Sequence, residues 1–277
     1  MQNRNSLPAG DVSLFPRQDR SDIAHPERSF ADPSLPEQIL RSFNTWTFKR
    51  EQPSDRDLML RFISEATRLA EPIPFVLYWG KGPRSRLAEP DTTCLDNLKT
   101  LADRISKVYA PGAALTLIFT DTHAELNGHA DHCIREYFAD IEGAAGQRAF
   151  ATCWLSDIKR AAETLDAQEL TDENISAETL ARLSACAAKW YRGHRTADEA
   201  ALTYFQMNLV ERQSVELMFP RSIFLTFNGS EMRSLFPIGL PIFYMYSLRR
   251  GKSVKPWFVV ADESACAGPI PECATRN

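Results

Sequence analysis

Lys81 stands between Gly80 and Gly82, directly behind an apolar run, and Arg84 and Arg86 follow in the same loop. The exposed amides of a glycine turn, one ammonium and two guanidinium groups can hold a carboxylate or a phosphate. The spacing is not that of a Walker loop, which needs a Lys-Ser or Lys-Thr pair opening a helix. A second polar cluster, Asp121-Thr122-His123-Ala124-Glu125-Leu126-Asn127-Gly128-His129, follows a second apolar run. Asp121 there can bind an amine or hydroxyl, or orient a histidine. His123 can serve as general base or hydrogen-bond donor. Glu125 and Asn127 add an acid and an amide. Each cluster also has a plain structural reading. The first is then a solvated basic turn, and the second a helix cap in which Asn127 caps the helix opening near His129. His129 and His132 share a helix face, but the pattern is not His-Glu-x-x-His, and a polar helix start is preferred to a metal site.

Aromatic residues cluster near the same places. Tyr78 and Trp79 end the first apolar run and Trp154 ends a third. They are expected to line one crevice, where aromatic faces attract a sulfonium or ammonium group. Trp190, Tyr191, Tyr204 and Phe205 belong to the same set, with core packing as the alternative. Asn228, behind a later strand, adds a polar contact. No Gly-x-Gly-x-x-Gly follows the first strand and no Gly-x-Ser-x-Gly elbow exists, which counts against an ordinary dinucleotide fold, an ordinary methyltransferase and an α/β-hydrolase.

These residues need strands to place them. Ile73 to Trp79 is continuously apolar, as a strand covered on both faces should be. Asp91 to Val108 repeats Leu95, Leu98, Leu101 and Ile105 at helical spacing, and Tyr109-Ala110-Pro111-Gly112 ends it. Ala114 to Phe119 is the next strand, His129 to Glu142 a helix, and Phe150 to Trp154 a third strand. Helices follow over Ser156 to Leu165, Ala177 to Tyr191 and Thr196 to Met218, then a strand over Arg221 to Phe227. Leu240 to Leu248 and Trp257 to Val260 read as a closing antiparallel hairpin. Upstream, Leu35 to Phe48 and Asp55 to Leu69 read as helices. Ile39, Leu40, Phe43 and Trp46 share one face of the first, and Ser54 is the expected N-cap of the second. The pattern predicts an α/β, Rossmann-like, mainly parallel sheet with helices on both faces, and ligands outside the carboxyl ends of its strands. The expected organisation is a flexible segment over residues 1–34, a helical cap over 35–70, a catalytic domain over 71–262 and a flexible tail over 263–277.

The 277 residues are 44% hydrophobic, enough for a packed core, and carry a formal net charge of -4 with no basic block. That argues against a nucleic-acid binder. No apolar run is long enough to span a membrane and no signal core is present, so a cytoplasmic protein is expected. Six cysteines are scattered without a Cys-x-x-Cys pair. Cys94, Cys133, Cys153 and Cys186 read as small core residues, whereas Cys266 and Cys273 sit in the tail.

Several segments resemble bacterial isocyanide synthases and fungal dityrosine-precursor enzymes. Phe75-Val76-Leu77-Tyr78-Trp79-Gly80-Lys81-Gly82-Pro83-Arg84 is similar to that family's strand end, with Lys81 and Pro83 matching. Pro90-Asp91, Arg104-Ile105 through Tyr109-Ala110-Pro111-Gly112-Ala113, and Thr120-Asp121-Thr122 follow in the family's order. Phe219-Pro220-Arg221 and Lys255-Pro256-Trp257 are also similar. The family's Ser and Asn after the lysine are missing, and the residues behind Asp121 differ. The resemblance implies a Rossmann-like enzyme of specialised metabolism that converts an amine to an isocyanide with ribulose 5-phosphate. Lys81 and Arg84 would hold the sugar phosphate, and Asp121 would be the acid of the family's Ser-Asp-Gly motif.

The expected catalytic residues are therefore Asp121, His123 and Lys81. Tyr78, Trp79, Gly80, Arg84, Arg86, Glu125, Asn127, Trp154 and Asn228 are expected to bind substrate or cofactor. Partners are an amino acid and a sugar phosphate, without nucleic acid, membrane or metal. An alternative is an S-adenosylmethionine-using transferase or cyclase that makes a non-proteinogenic amino acid such as azetidine-2-carboxylate. A third reading is a non-catalytic small-molecule binder.

Overall fold

The computed structural model describes residues 32–80, 86–165 and 175–245. Lys81 and Arg84, the limb Trp257 to Val260, and Cys266 and Cys273 lie outside the described residues, as does nearly all of the segment 1–34. Five parallel strands form the sheet: β1 (Ile73–Trp79), β2 (Ala113–Phe119), β3 (Ala151–Trp154), β4 (Ile223–Thr226) and β5 (Ile242–Tyr244). Their order is β3-β2-β1-β4-β5. Helix α3 (Glu89–Ser106) joins β1 to β2. Two helices, α4 (Asp121–Leu126) and α5 (Asp131–Gly146), join β2 to β3. The long return to β4 runs through α6 (Leu155–Leu165), α7 (Ala177–Trp190) and α8 (Ala197–Met218). Ahead of the sheet come α1 (Leu35–Phe43) and α2 (Arg56–Leu69). This is the expected α/β Rossmann-like architecture.

Alternation along each strand divides the core in two. Phe75, Leu77 and Trp79 pack on one face with the helices α1, α2, α3 and α5. Val76 and Tyr78 turn to the other, against α6, α7 and α8. Both faces of β1 are thus covered, which is why its sequence is apolar throughout. Side chains such as Phe75 and Leu77, at 1% and 2% exposure, each contribute about 1.5–3 kcal/mol by leaving water.

The departures have local causes. The first helix stops at Phe43, where Asn44 donates its backbone N–H to the Leu40 carbonyl oxygen. Trp46, expected on the apolar face, is 69% exposed with the Lys49 ammonium 4.6 Å above its ring. Asp55, not Ser54, caps α2, its carboxylate accepting from the Leu58 amide at 2.8 Å. Ser54 is used at the sheet edge, where its Oγ accepts from the Ile242 amide at 2.9 Å. Strand β5, within the first limb of the expected hairpin, pairs parallel to β4, and the second limb lies outside the described residues. Among the described residues, the antiparallel contact at this edge is the bridge between Lys49 and Met245. Among the described residues no helix is long and apolar enough to cross a membrane.

Candidate functional site

The chain leaves β1 for β2 and β3 on one side and returns to β4 on the other, so its direction across the sheet reverses between β1 and β4. At that reversal the two strand ends diverge and leave a crevice, the usual ligand position in open α/β sheets. A cleft of about 640 Å³, its open mouth included, lies there. Its floor is the end of β1 through Gly80 and the end of β4 through Asn228. Thr120, His123, Tyr204, Asn208 and Phe236 also line it. Gly80 permits a close approach of the strand ends: a Cβ there would sit 3.3 Å from Thr120 Oγ1, which itself donates to the Trp79 carbonyl oxygen.

Of the residues singled out in the sequence, the cleft collects Tyr78, Trp79, Gly80, His123, Tyr204 and Asn228. It does not collect Asp121. That carboxylate is buried and accepts from the Ser156 amide at 3.2 Å, in the first turn of α6. A free amide at a helix N-terminus is a ready partner for a carboxylate, and it holds Asp121 away from the crevice. Asn127 ends α4 instead of capping α5: its Nδ2 donates to the His123 carbonyl oxygen at 3.1 Å, and Ala130 is the N-cap of α5. The segment read as a loop is helical from Asp121, so Glu125 falls on the exposed side. Arg86 is exposed as well. Trp154 packs edge-on against Phe119 and Phe138, at 5.7 and 5.4 Å between ring centroids, rather than in the cleft. Register pairs it with Phe119 on β2, which fixes it to that face.

A buried acid that the sequence reading missed backs the site. Glu211 on α8 has no exposure, and its Oε2 lies 2.6 Å from His123 Nε2. Its Oε1 accepts from Thr122 Oγ1 at 2.6 Å. The sequence carried a signal: Tyr204, Asn208 and Glu211 recur at i, i+4 and i+7, so they share one helical face. Polar residues on a face that also holds Ala201 and Val215 are uncommon without a partner.

Tyr78 and Tyr204 set their rings against the imidazole, at 6.4 and 5.1 Å between centroids. Burial, reinforced by Glu211 and Glu216, holds the Tyr78 phenol well above its ordinary pKa. Burial does the same for Tyr204, with Asn208 opposing and Glu211 adding to it. Both phenols therefore stay neutral and can donate. The Tyr78 hydroxyl and the Asn228 side-chain oxygen are buried without a hydrogen-bond partner among the described residues. Such atoms cost about 1–3 kcal/mol each when left unpaired. Both belong to residues of the cleft floor, one a donor and one an acceptor.

Among the described residues no group of three or more His, Cys, Asp or Glu could hold a metal ion. Nor is a thiol poised for catalysis beside the cleft. Burial, then Asp157, pushes the Cys153 thiol up to about 11. Cys153 is accordingly expected to resist iodoacetamide at pH about 8, since only the thiolate reacts. Peptide mapping after labelling checks this, and rapid modification of Cys153 would contradict it.

No protein-family model matches the chain, and no curated protein matches it. Solved structures do. The chain shares its fold with the PvcA protein from Pseudomonas aeruginosa. The TM-score is 0.63 over 82% of this chain and 88% of that one, at 21% identity. A tyrosyl-tRNA synthetase from Pyrococcus horikoshii, solved with L-tyrosine, matches with a TM-score of 0.43 at 12% identity, over 80% of this chain and 58% of that one.

Proposed function

We propose that this chain is a biosynthetic enzyme of the isocyanide-synthase type, joining the amine of an amino acid to a carbon supplied by ribulose 5-phosphate. The observation that carries the reading is the cleft between β1 and β4, lined by His123, which buried Glu211 backs, and by two residues with polar atoms unpartnered among the described residues, Tyr78 Oη and Asn228 Oδ1. The ordered resemblance from Phe75 to Thr122 and the fold shared with PvcA support it. In this reading His123 handles the amine, and Tyr78 and Asn228 orient the amino acid. None of the described residues lining the cleft is Lys or Arg. The phosphate is therefore assigned to Lys81 and Arg84, whose point charge and fork suit an anion.

Incubation with carbon-13-labelled ribulose 5-phosphate and each amino acid, read by mass spectrometry, tests the proposal. The expected result is loss of one amino acid and a product carrying a labelled carbon on its nitrogen. Recovery of every amino acid unchanged would reject it.

One observation favours a second reading. Tyr78, Tyr204 and Phe236 give the cleft aromatic walls without a described lysine or arginine, which suits a sulfonium. On that reading the chain uses S-adenosylmethionine for transfer or for closure to a cyclic amino acid. Calorimetric titration separates the two: heat with S-adenosylmethionine and none with ribulose 5-phosphate favours the second.

A further inference from the structure

We propose that Glu211 is the positioning residue of His123, fixing the imidazole as the Nε2–H tautomer so that Nδ1 is the base that takes a proton from a bound ammonium group. The inference rests on the amino-acid reading above. Glu211 is held from two sides on α4. His123 Nε2 lies at 2.6 Å from one carboxylate oxygen, and the Thr122 hydroxyl donates to the other at 2.6 Å. An ionised carboxylate can only accept, so the nitrogen facing it carries the proton. The neutral ring then keeps its lone pair on Nδ1, which has no partner among the described residues. Tyr78 and Tyr204 flank the ring edge-on and limit its rotation. Tyr204 and Glu211 stand on one face of α8, with Asn208 between them donating to the Tyr204 carbonyl oxygen at 2.7 Å. One helix face therefore supplies both the wall and the anchor of the imidazole.

The chemistry needs such a base whichever carbon is attacked. An amino acid arrives as an ammonium ion, which has no lone pair. Bond formation from nitrogen, to a sugar carbonyl or to a sulfonium-bearing carbon, requires the free amine. The proton passes from the ligand nitrogen to Nδ1, and the N–H bonding pair becomes the amine lone pair. The imidazolium so formed lies against the Glu211 carboxylate, which stabilises it without taking the proton.

Nitrogen-15 spectra of protein labelled in its histidines, recorded at mildly alkaline pH, test the assignment. His123→Asn identifies the His123 signals by their loss. The wild type is expected to show Nε2 protonated and Nδ1 bare. Glu211→Gln keeps the shape, but its amide can donate or accept, so both tautomers are expected. Amino-acid turnover is then expected to fall about 100-fold or more, with KM little changed. A wild-type Nδ1–H tautomer would overturn the proposal, as would a Gln variant with turnover near wild type. If that variant fails to fold, the wild-type spectrum alone decides. A fixed tautomer lost in Glu211→Gln, in a protein that consumes no amino acid, would reject the amino-acid reading and retain the positioning of His123.

Discussion

Replacing His123 with alanine is expected to lower folding stability by about 3 kcal/mol, because it strands a buried carboxylate. Glu211 is 0% exposed and His123 lies against it at 2.6 Å. With the imidazole gone, Thr122 still bonds one oxygen, but the other has no described donor. The cost should come from the stranded charge more than from the lost ring. The double variant His123→Leu/Glu211→Met should be more stable than His123→Ala, since it leaves no stranded carboxylate and apolar groups of similar volume often match a buried polar pair. Urea denaturation of the single and double variants makes the comparison. A His123→Ala midpoint equal to wild type, or a double variant no better than the single, would remove the buried charge from the account. Neither variant should turn over an amino acid.

The second large effect is expected behind the cleft rather than in it. Asp91 is 0% exposed and accepts from the Ala88 amide and the Tyr137 hydroxyl, both at 3.1 Å. Tyr137 Oη in turn accepts from Trp79 Nε1 at 3.2 Å. One carboxylate thus caps α3 and anchors a chain that ends on the indole of Trp79, whose residue stands at the end of β1 beside the cleft. Asp91→Ala should cost about 2–4 kcal/mol, from a lost cap and a buried hydroxyl that loses this carboxylate. It should also weaken ligand binding, since Tyr137, which accepts from Trp79 Nε1, loses an anchor. Asp91→Asn should recover part of both, because the amide oxygen can still accept. Thermal denaturation with a ligand titration checks this, and a loss below about 1 kcal/mol would contradict the relay.

The parallel sheet, its two covered faces and the strand-end location of the site were legible because they follow from local patterns. Continuous apolarity marked β1, and a helical leucine repeat marked α3. What could not be read was which polar residue at a strand end turns inward. Asp121 and His123 are two residues apart, and once that segment is helical they point about 200° apart around its axis. His123 then meets α8, while Asp121 meets the amide of Ser156. Glu211 lay far along the chain, with its partner hidden until α8 packed against α4. Much of the resemblance also falls on scaffold. Asp91 anchors α3, Tyr109 donates to the Glu71 carbonyl oxygen at 2.9 Å, and Gly112 sits at φ +71° in the turn before β2. Those matches speak for the fold, whereas Tyr78 and His123 speak for the cleft. The lesson is physical: periodicity reports burial, but the direction of a side chain depends on a partner that only the tertiary fold supplies.

Diffraction from crystals grown with ribulose 5-phosphate and an aromatic amino acid tests the central claim most directly. The expected result is an amino acid in the cleft between β1 and β4. Its nitrogen should lie about 3 Å from His123 Nδ1, and its polar atoms within hydrogen-bond reach of Tyr78 Oη and Asn228 Oδ1. An amino acid bound elsewhere, with these atoms still unpartnered, would contradict the account.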